Sequence, residues 1–176
     1  MGNPNLTHIQ KLLNLPDPLL DFKWICRDSK LPFGLPSEYL ESIDLPFLNI
    51  RIKEGVFGGS RYTYYPGFHD ISSFSVNFYE DSQGNVTRWL WQWKNRIKDF
   101  KTGIYNLPSD YKRNLNIQLL DTNNTPVINA SLIGVWPADT SNYQLNYTNN
   151  GRIIVGQTFS IDNQELEFLV SSTKLF

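Results

Sequence analysis

From residue 74 the chain alternates, with Phe74, Val76 and Phe78 separated by Ser75 and Asn77. A period of two puts the apolar set on one face of a strand, here expected over residues 71–79. Leu48, Ile50 and Ile52 alternate in the same way with Asn49, Arg51 and Lys53, and Leu115, Ile117 and Leu119 do so further on. Near the start, Leu20, Phe22, Trp24 and Cys26 oppose Asp21, Lys23 and Arg27, which predicts a strand over 19–27. Further extended segments are expected at 61–65, 127–136, 143–147, 153–161 and 166–169. In one long stretch the period changes. Trp89, Trp93, Ile97 and Phe100 fall at helical spacing and predict an amphipathic helix over 85–100. Asp81 or Ser82 would cap it, Lys94, Arg96, Lys98 and Lys101 suit its C-terminal dipole, and Gly103 would end it. A shorter helix is expected over 7–15, with Thr7 as N-cap and Pro16 and Pro18 as stops.

The punctuation fits hairpins. Pro32, Gly34 and Pro36 mark a turn-rich connection, and Gly55, Gly58 and Gly59 break the alternation as a hairpin tip. Asp121 to Asn124 is a turn signal, residues 137–141 read as a loop, and Asn149-Asn150-Gly151 as a tight turn. Hairpins, one helix and then more antiparallel strands imply a mainly β (α+β) domain. We expect an antiparallel β-sandwich or open barrel with long hairpins and one packed α-helix. The 176 residues suit a single core, with an N-terminal arm at 1–18, the domain at 19–170 and a C-terminal tail at 171–176. The hairpin around 48–65 carries Arg51, Lys53, Arg61 and several tyrosines. It has too little apolar surface to stand alone, so it needs a partner sheet.

Charge narrows the possibilities. With 16 basic and 17 acidic residues, the chain lacks the basic footprint of a nucleic-acid grip. Its single cysteine, Cys26, excludes an internal disulfide and a cysteine zinc site and fits assembly in a reducing cytoplasm. Within an apolar run it reads as a small buried hydrophobe rather than a nucleophile. No secretory leader or membrane-spanning run is expected, and Leu6 stands where a myristoylation signal needs Ser or Thr.

Catalytic chemistry finds little material. The two histidines, His8 and His69, share no metal-ligand spacing, and no nucleophile elbow or phosphate loop is present. The glycines at 55–59 join two strands instead of opening a helix, so they form no phosphate cradle. Glu80 and Asp81 could be an acid–base pair, but helix capping explains them more simply. Glu165 and Glu167 share one strand face, a common solvated pattern. No enzyme activity, metal or cofactor is expected. Trp89, Trp91 and Trp93 could stack sugars or form a partner hot spot. On a helix, Trp89 and Trp93 face the core, whereas Trp91 lies roughly 200° around from Trp89 and is the interface candidate.

Four segments, in order across residues 20–168, resemble the tail tube protein family of contractile-tailed (T4-type) phages. They are the strand and Leu31-Pro32 turn over 25–34, the polar glycine-tipped hairpin over 48–65, residues 74–81 leading into the Trp-rich helix, and residues 132–139 followed by 145–150 and 157–161. Gly134, Trp136 and Pro137, within Gly134-Val-Trp136-Pro137, are the most telling piece. The resemblance implies a fold related to the type VI secretion tube protein. It also implies hexameric rings that stack as the inner tube of a virion tail, assembled in the host cytoplasm. The partners would be further copies of the chain, tail sheath, and baseplate or terminator proteins, with DNA passing non-specifically through the lumen and no membrane contact. A closed ring would remove exposed sheet edges, and an open axial contact would permit stacking. The hairpin is the candidate inter-ring contact, through Asn49, Arg51, Lys53, Gly55, Phe57, Gly58, Gly59, Arg61, Tyr62 and Tyr64. The arm at 1–18 is longer than a minimal tube protein needs, which leaves open a specialised single ring at the baseplate or tail terminus. Two other readings compete: a carbohydrate-binding β-module using Trp91, and a small hydrolase.

Overall fold

A computed structural model describes residues 20–46, 49–57, 61–70, 73–141 and 151–169. The strands are β1 (Trp24–Cys26), β2 (Leu40–Ile43), β3 (Asn49–Phe57), β4 (Arg61–Asp70), β5 (Phe74–Tyr79), β6 (Arg113–Leu120), β7 (Pro126–Thr140), β8 (Ile154–Ser160) and β9 (Asn163–Phe168). Helix α1 spans Asn85–Ile97, and a single turn, α2, spans Pro108–Tyr111. Every strand pairing is antiparallel. The main sheet runs β1-β6-β7-β8-β5-β2, with β9 also on β7, while β3 and β4 form a two-stranded sheet. The expected mainly-β fold with a packed helix is what forms.

β7 organises the main sheet. Along one edge it pairs first with β9, from Ile128↔Phe168 to Ile133↔Asn163, and then with β8, from Trp136↔Ser160 to Thr140↔Gln157. The amide of Asp162 donates to the carbonyl of Ile133 between the two, so β8 and β9 act as one bent strand. The corner lies at Gly134, whose φ of +69° is left-handed. There the register with β6 shifts between Arg113 and Leu115, and Asn114 Oδ1 accepts from the Gly134 amide. A bulge of this kind bends the strand and re-aims its side chains. A Cβ at Gly134 would run into the carboxylate of Asp162. The bend keeps β7 in the ladder beyond Pro137, so 137–140 are strand and not the expected loop. Pro137 is fully buried, opposite Phe159.

Helix α1 covers the apolar face of this sheet. Val86, Trp89, Leu90 and Trp93 are buried, and Trp93 is only 1% exposed. Trp89 packs edge-on to Phe78 (ring centroids 5.5 Å apart) and to Trp93 (5.2 Å), and Trp93 reaches Phe159 at 5.6 Å. Both indole N–H groups are satisfied at 2.7 Å, Trp89 by the carbonyl of Pro32 and Trp93 by that of Tyr111. The cluster therefore contributes burial and also anchors two connecting segments, with aromatic pairs adding about 0.5–1.5 kcal/mol each beyond area. Phe33, at φ +62°, sits 5.3 Å from Trp93 with the guanidinium carbons of Arg96 and Arg113 each 4.6 Å from its ring centroid.

Several expectations give way. The strand over 19–27 shrinks to β1, because the Lys23 amide closes a turn onto the Leu20 carbonyl and leaves Leu20 and Phe22 exposed. Gly55 does not break the hairpin; it pairs with Thr63 inside the ladder, and β4 extends to Asp70. The helix ends at Ile97, not 100, since Lys98 turns extended and pairs with Tyr105. Phe100 is thus outside the core and lies against Trp91, and Gly103 closes the following turn onto Asp99. The helix over 7–15, the strand over 143–147, the turn residues 149–150, the tip residues Gly58 and Gly59, and the tail lie outside the described residues.

Two outcomes check this account by denaturant unfolding. Gly134→Ala lowers stability by at least about 1–2 kcal/mol, from the left-handed backbone alone, and more from the clash with Asp162. Trp93→Ala costs about 3–5 kcal/mol, while Trp91→Ala, at a side chain 62% exposed, stays within about 0.5 kcal/mol.

Candidate functional site

The strongest polar cluster surrounds the start of α1, where Glu80 and Asp81 follow β5. Gly84 is the N-cap residue and supplies no side chain, so the first turn of the helix must find its acceptors elsewhere. Asp81 Oδ1 accepts from the amides of Gln83 and Asn85, each at 3.0 Å. Glu80 Oε1 accepts from the amides of Asp81 and Val86, and Oε2 from the amide and hydroxyl of Thr87. Tyr39 donates its hydroxyl to Asp81 Oδ2 at 2.8 Å, tying the 3-10 turn Ser37–Tyr39 to the helix. The Asn85 amide, with smaller help from Tyr39, the Asn85 side chain and Gln83, holds the Asp81 carboxyl down to about 2 from an ordinary 3.8. A carboxylate committed to helix amides is a poor general base, so this pair caps the helix as the sequence suggests. Beside it lies an open hollow of about 510 Å³ that includes Trp91, Arg88 and Ile153.

Trp91 is exposed as its angular position implies, and its ring lies 4.9 Å from that of Phe100. Ile104, Tyr105 and Leu107 in the following loop are also exposed. Trp136 is half-buried against Tyr111, Pro137 is core, Gly134 is the corner of β7, and the Pro32 carbonyl receives Trp89. These four positions, which lie within the segments that carry the sequence resemblance, each have a place in the fold.

The hairpin residues occupy a sheet of their own. Asn49 opposes Asp70, Lys53 opposes Tyr65, Gly55 opposes Thr63 and Phe57 opposes Arg61. Arg51 falls at a register shift between Ile50 and Ile52, while Tyr62 and Tyr64 face Val56 and Glu54 across the ladder. The hairpin is formed as a two-stranded sheet, and Trp91 lies apart from that sheet on α1.

A second open groove, of about 580 Å³, lies between β1 and β2. Asp21, Glu38 and Glu41 line it together with Phe22, Trp24 and Ile25. Sequence pattern gives no sign of this set, because its members come from separate turns and strands that meet only when the sheet curls. Among the described residues no group of three or more His, Cys, Asp or Glu could hold a metal ion, and no helix is long and apolar enough to cross a membrane. Cys26 is buried, and desolvation raises its thiol pKa.

No family model matches the sequence, and no curated protein matches it. Solved structures do match in fold. The tube-terminating cap of the anti-feeding prophage aligns with a TM-score of 0.68 at 14% identity, over 88% of this chain and 93% of that one. The sheath/tube terminator of the PVC extracellular contractile injection system, in its extended state, gives 0.66 at 15% identity over 87% and 99%. A chain of the sheath–tube complex of a PVC system gives 0.62 at 16% identity over 92% and 97%. The chain has the fold that these contractile injection system proteins share.

The capping geometry sets a pH dependence. Asp81 has a depressed folded pKa, so its stabilisation is fully present above its unfolded value and is lost as pH falls through about 2. Asp81→Asn should flatten the stability–pH curve between about pH 4 and pH 2, as measured by denaturant midpoints across that range.

Proposed function

We propose that this chain is a structural, non-enzymatic subunit that closes into rings in the tube of a contractile injection apparatus, joined to further copies, sheath and baseplate or terminator proteins. The observation that supports this reading is the shared fold across nearly the whole length of both partners. It aligns with a sheath–tube complex, a tube terminator and a tube cap, with no large insertion that would house a separate activity. The physical logic agrees. An open sheet ending in β1 and β2 exposes main-chain donors and acceptors, and neighbours in a closed ring would satisfy them. Six copies per ring, stacking through the β3–β4 hairpin, and DNA as lumen cargo in a phage tail complete the proposal.

A second reading has its own support. The cap and terminator align at TM-scores of 0.68 and 0.66 against 0.62 for the sheath–tube chain, which favours a single ring that ends the tube as strongly as a repeating one.

Negative-stain microscopy and sedimentation of the purified chain test both. Rings that extend into tubes support the shaft subunit, rings that never stack support the terminal one, and a chain that stays monomeric at high concentration sinks the proposal. In the shaft reading, removing residues 55–60 leaves a folded chain that forms rings but no tubes. Unchanged tube growth would remove the hairpin from the axial contact.

A further inference from the structure

The groove between β1 and β2 has the makings of a docking site. β1 and β2 are the two ends of the main sheet, and no other described strand pairs with either outer edge. Beside β1 the Lys23 carbonyl accepts from the Leu120 amide and the Arg27 amide donates to the Asn116 carbonyl, so by antiparallel alternation Trp24 turns its backbone groups away from β6, whereas Cys26 is buried. The walls are apolar and uncovered, with Phe22 68% and Ile25 49% exposed. The charges that line the groove are all negative: Asp21, Glu38 and Glu41. Glu41 Oε2 is buried and has no hydrogen-bond partner. A buried carboxylate oxygen without a donor is costly, and native structures rarely leave one so. The groove thus calls for an extended segment that brings free main-chain groups, apolar side chains and a cation.

One strand of this chain fits that description. β3 reads Asn49-Ile50-Arg51-Ile52-Lys53, apolar and basic residues in alternation, and it contains no proline. Its partner β4 carries Pro66, which removes a donor, so β3 offers the fuller edge. Among the described residues β3 joins only β4 and enters no sheet with β1 or β2.

We propose that the groove between β1 and β2 seats β3 of a second copy of this chain, with Arg51 or Lys53 supplying the cation that Glu41 lacks. The strand adds to an open sheet edge by main-chain hydrogen bonds, and the charges set its register and orientation. This rests on the self-assembly proposed above and names the surface that receives the hairpin. The contact is heterologous, groove on one copy and strand on the next, so it propagates from ring to ring.

A charge-swap experiment with full-length chains decides it. One variant reverses the groove (Glu38→Lys with Glu41→Lys), and another reverses the strand (Arg51→Glu with Lys53→Glu). Each alone should form rings but no tubes, by sedimentation and negative-stain microscopy, at concentrations where the wild type forms tubes. An equimolar mixture should regain tubes, because each variant's groove then meets the other's strand. Wild-type tube growth by the groove-reversed chain alone, or a mixture that forms no tubes, overturns the proposal and leaves the tube reading standing. A wild-type chain that never assembles overturns both. Should the reversed groove fail to fold, the isosteric Glu41→Gln should need at least about tenfold more chain to form tubes, and an unchanged threshold overturns the proposal.

Discussion

At Gly134 the backbone of the longest strand is left-handed and a Cβ would run into the Asp162 side chain, and the pairing of the main sheet changes partner at that corner. A fifteen-residue strand such as β7 would ordinarily carry a gently twisted sheet. Here the bulge at Gly134 turns it sharply, and β8 and β9 follow the turn as one continuous neighbour. The first half of β7 then carries β6 and β1, and the second half reaches β5 and β2 through β8. Lys112 donates to both carboxylate oxygens of Asp162, at 2.6 and 2.8 Å, which fixes the outer side of the corner.

Two consequences follow from that bend. The apolar face takes helix α1, and Trp89 and Trp93 fill it against Phe78 and Phe159. The ends of the sheet are also brought round until β1 and β2 border one groove. A flat sheet would place them at opposite margins with nothing in common. Core and groove are therefore products of one constraint, and the connection from β1 to β2 through Pro32 and Phe33 is pinned to the same aromatic cluster.

Local pattern recovers whatever local pattern determines. Phe74, Val76 and Phe78 alternate in a strand with one buried face, so the period is visible. The Trp89–Trp93 stripe is visible because the helix buries a single side, and the same angular argument separates Trp91. The errors fall where a distant partner decides. Leu20 and Phe22 continue the alternation of β1, yet β6 offers registered partners only to Trp24–Cys26. Pro137 looks like a breaker until β8 supplies its neighbour. Phe100 keeps the helical spacing but loses the helix to a bridge between Lys98 and Tyr105. The groove was wholly illegible, since Asp21, Glu38 and Glu41 come from separate turns and strands and acquire a common environment only in the folded chain.

The acidic residues show why composition alone cannot locate function in such a protein. Glu80 and Asp81 look like the more interesting pair, adjacent and next to a tryptophan-bearing hollow. Every acceptor they offer is engaged by the first turn of α1 or by Tyr39, and that engagement stabilises the fold. Glu41 has no such partner for its buried oxygen, so it is the carboxylate with something left to bind. Docking of the proposed kind would rest mainly on backbone edges, with a few charges to set register. Backbone groups are the same in every sequence, so a scaffold that assembles through them can keep its architecture while its side chains drift.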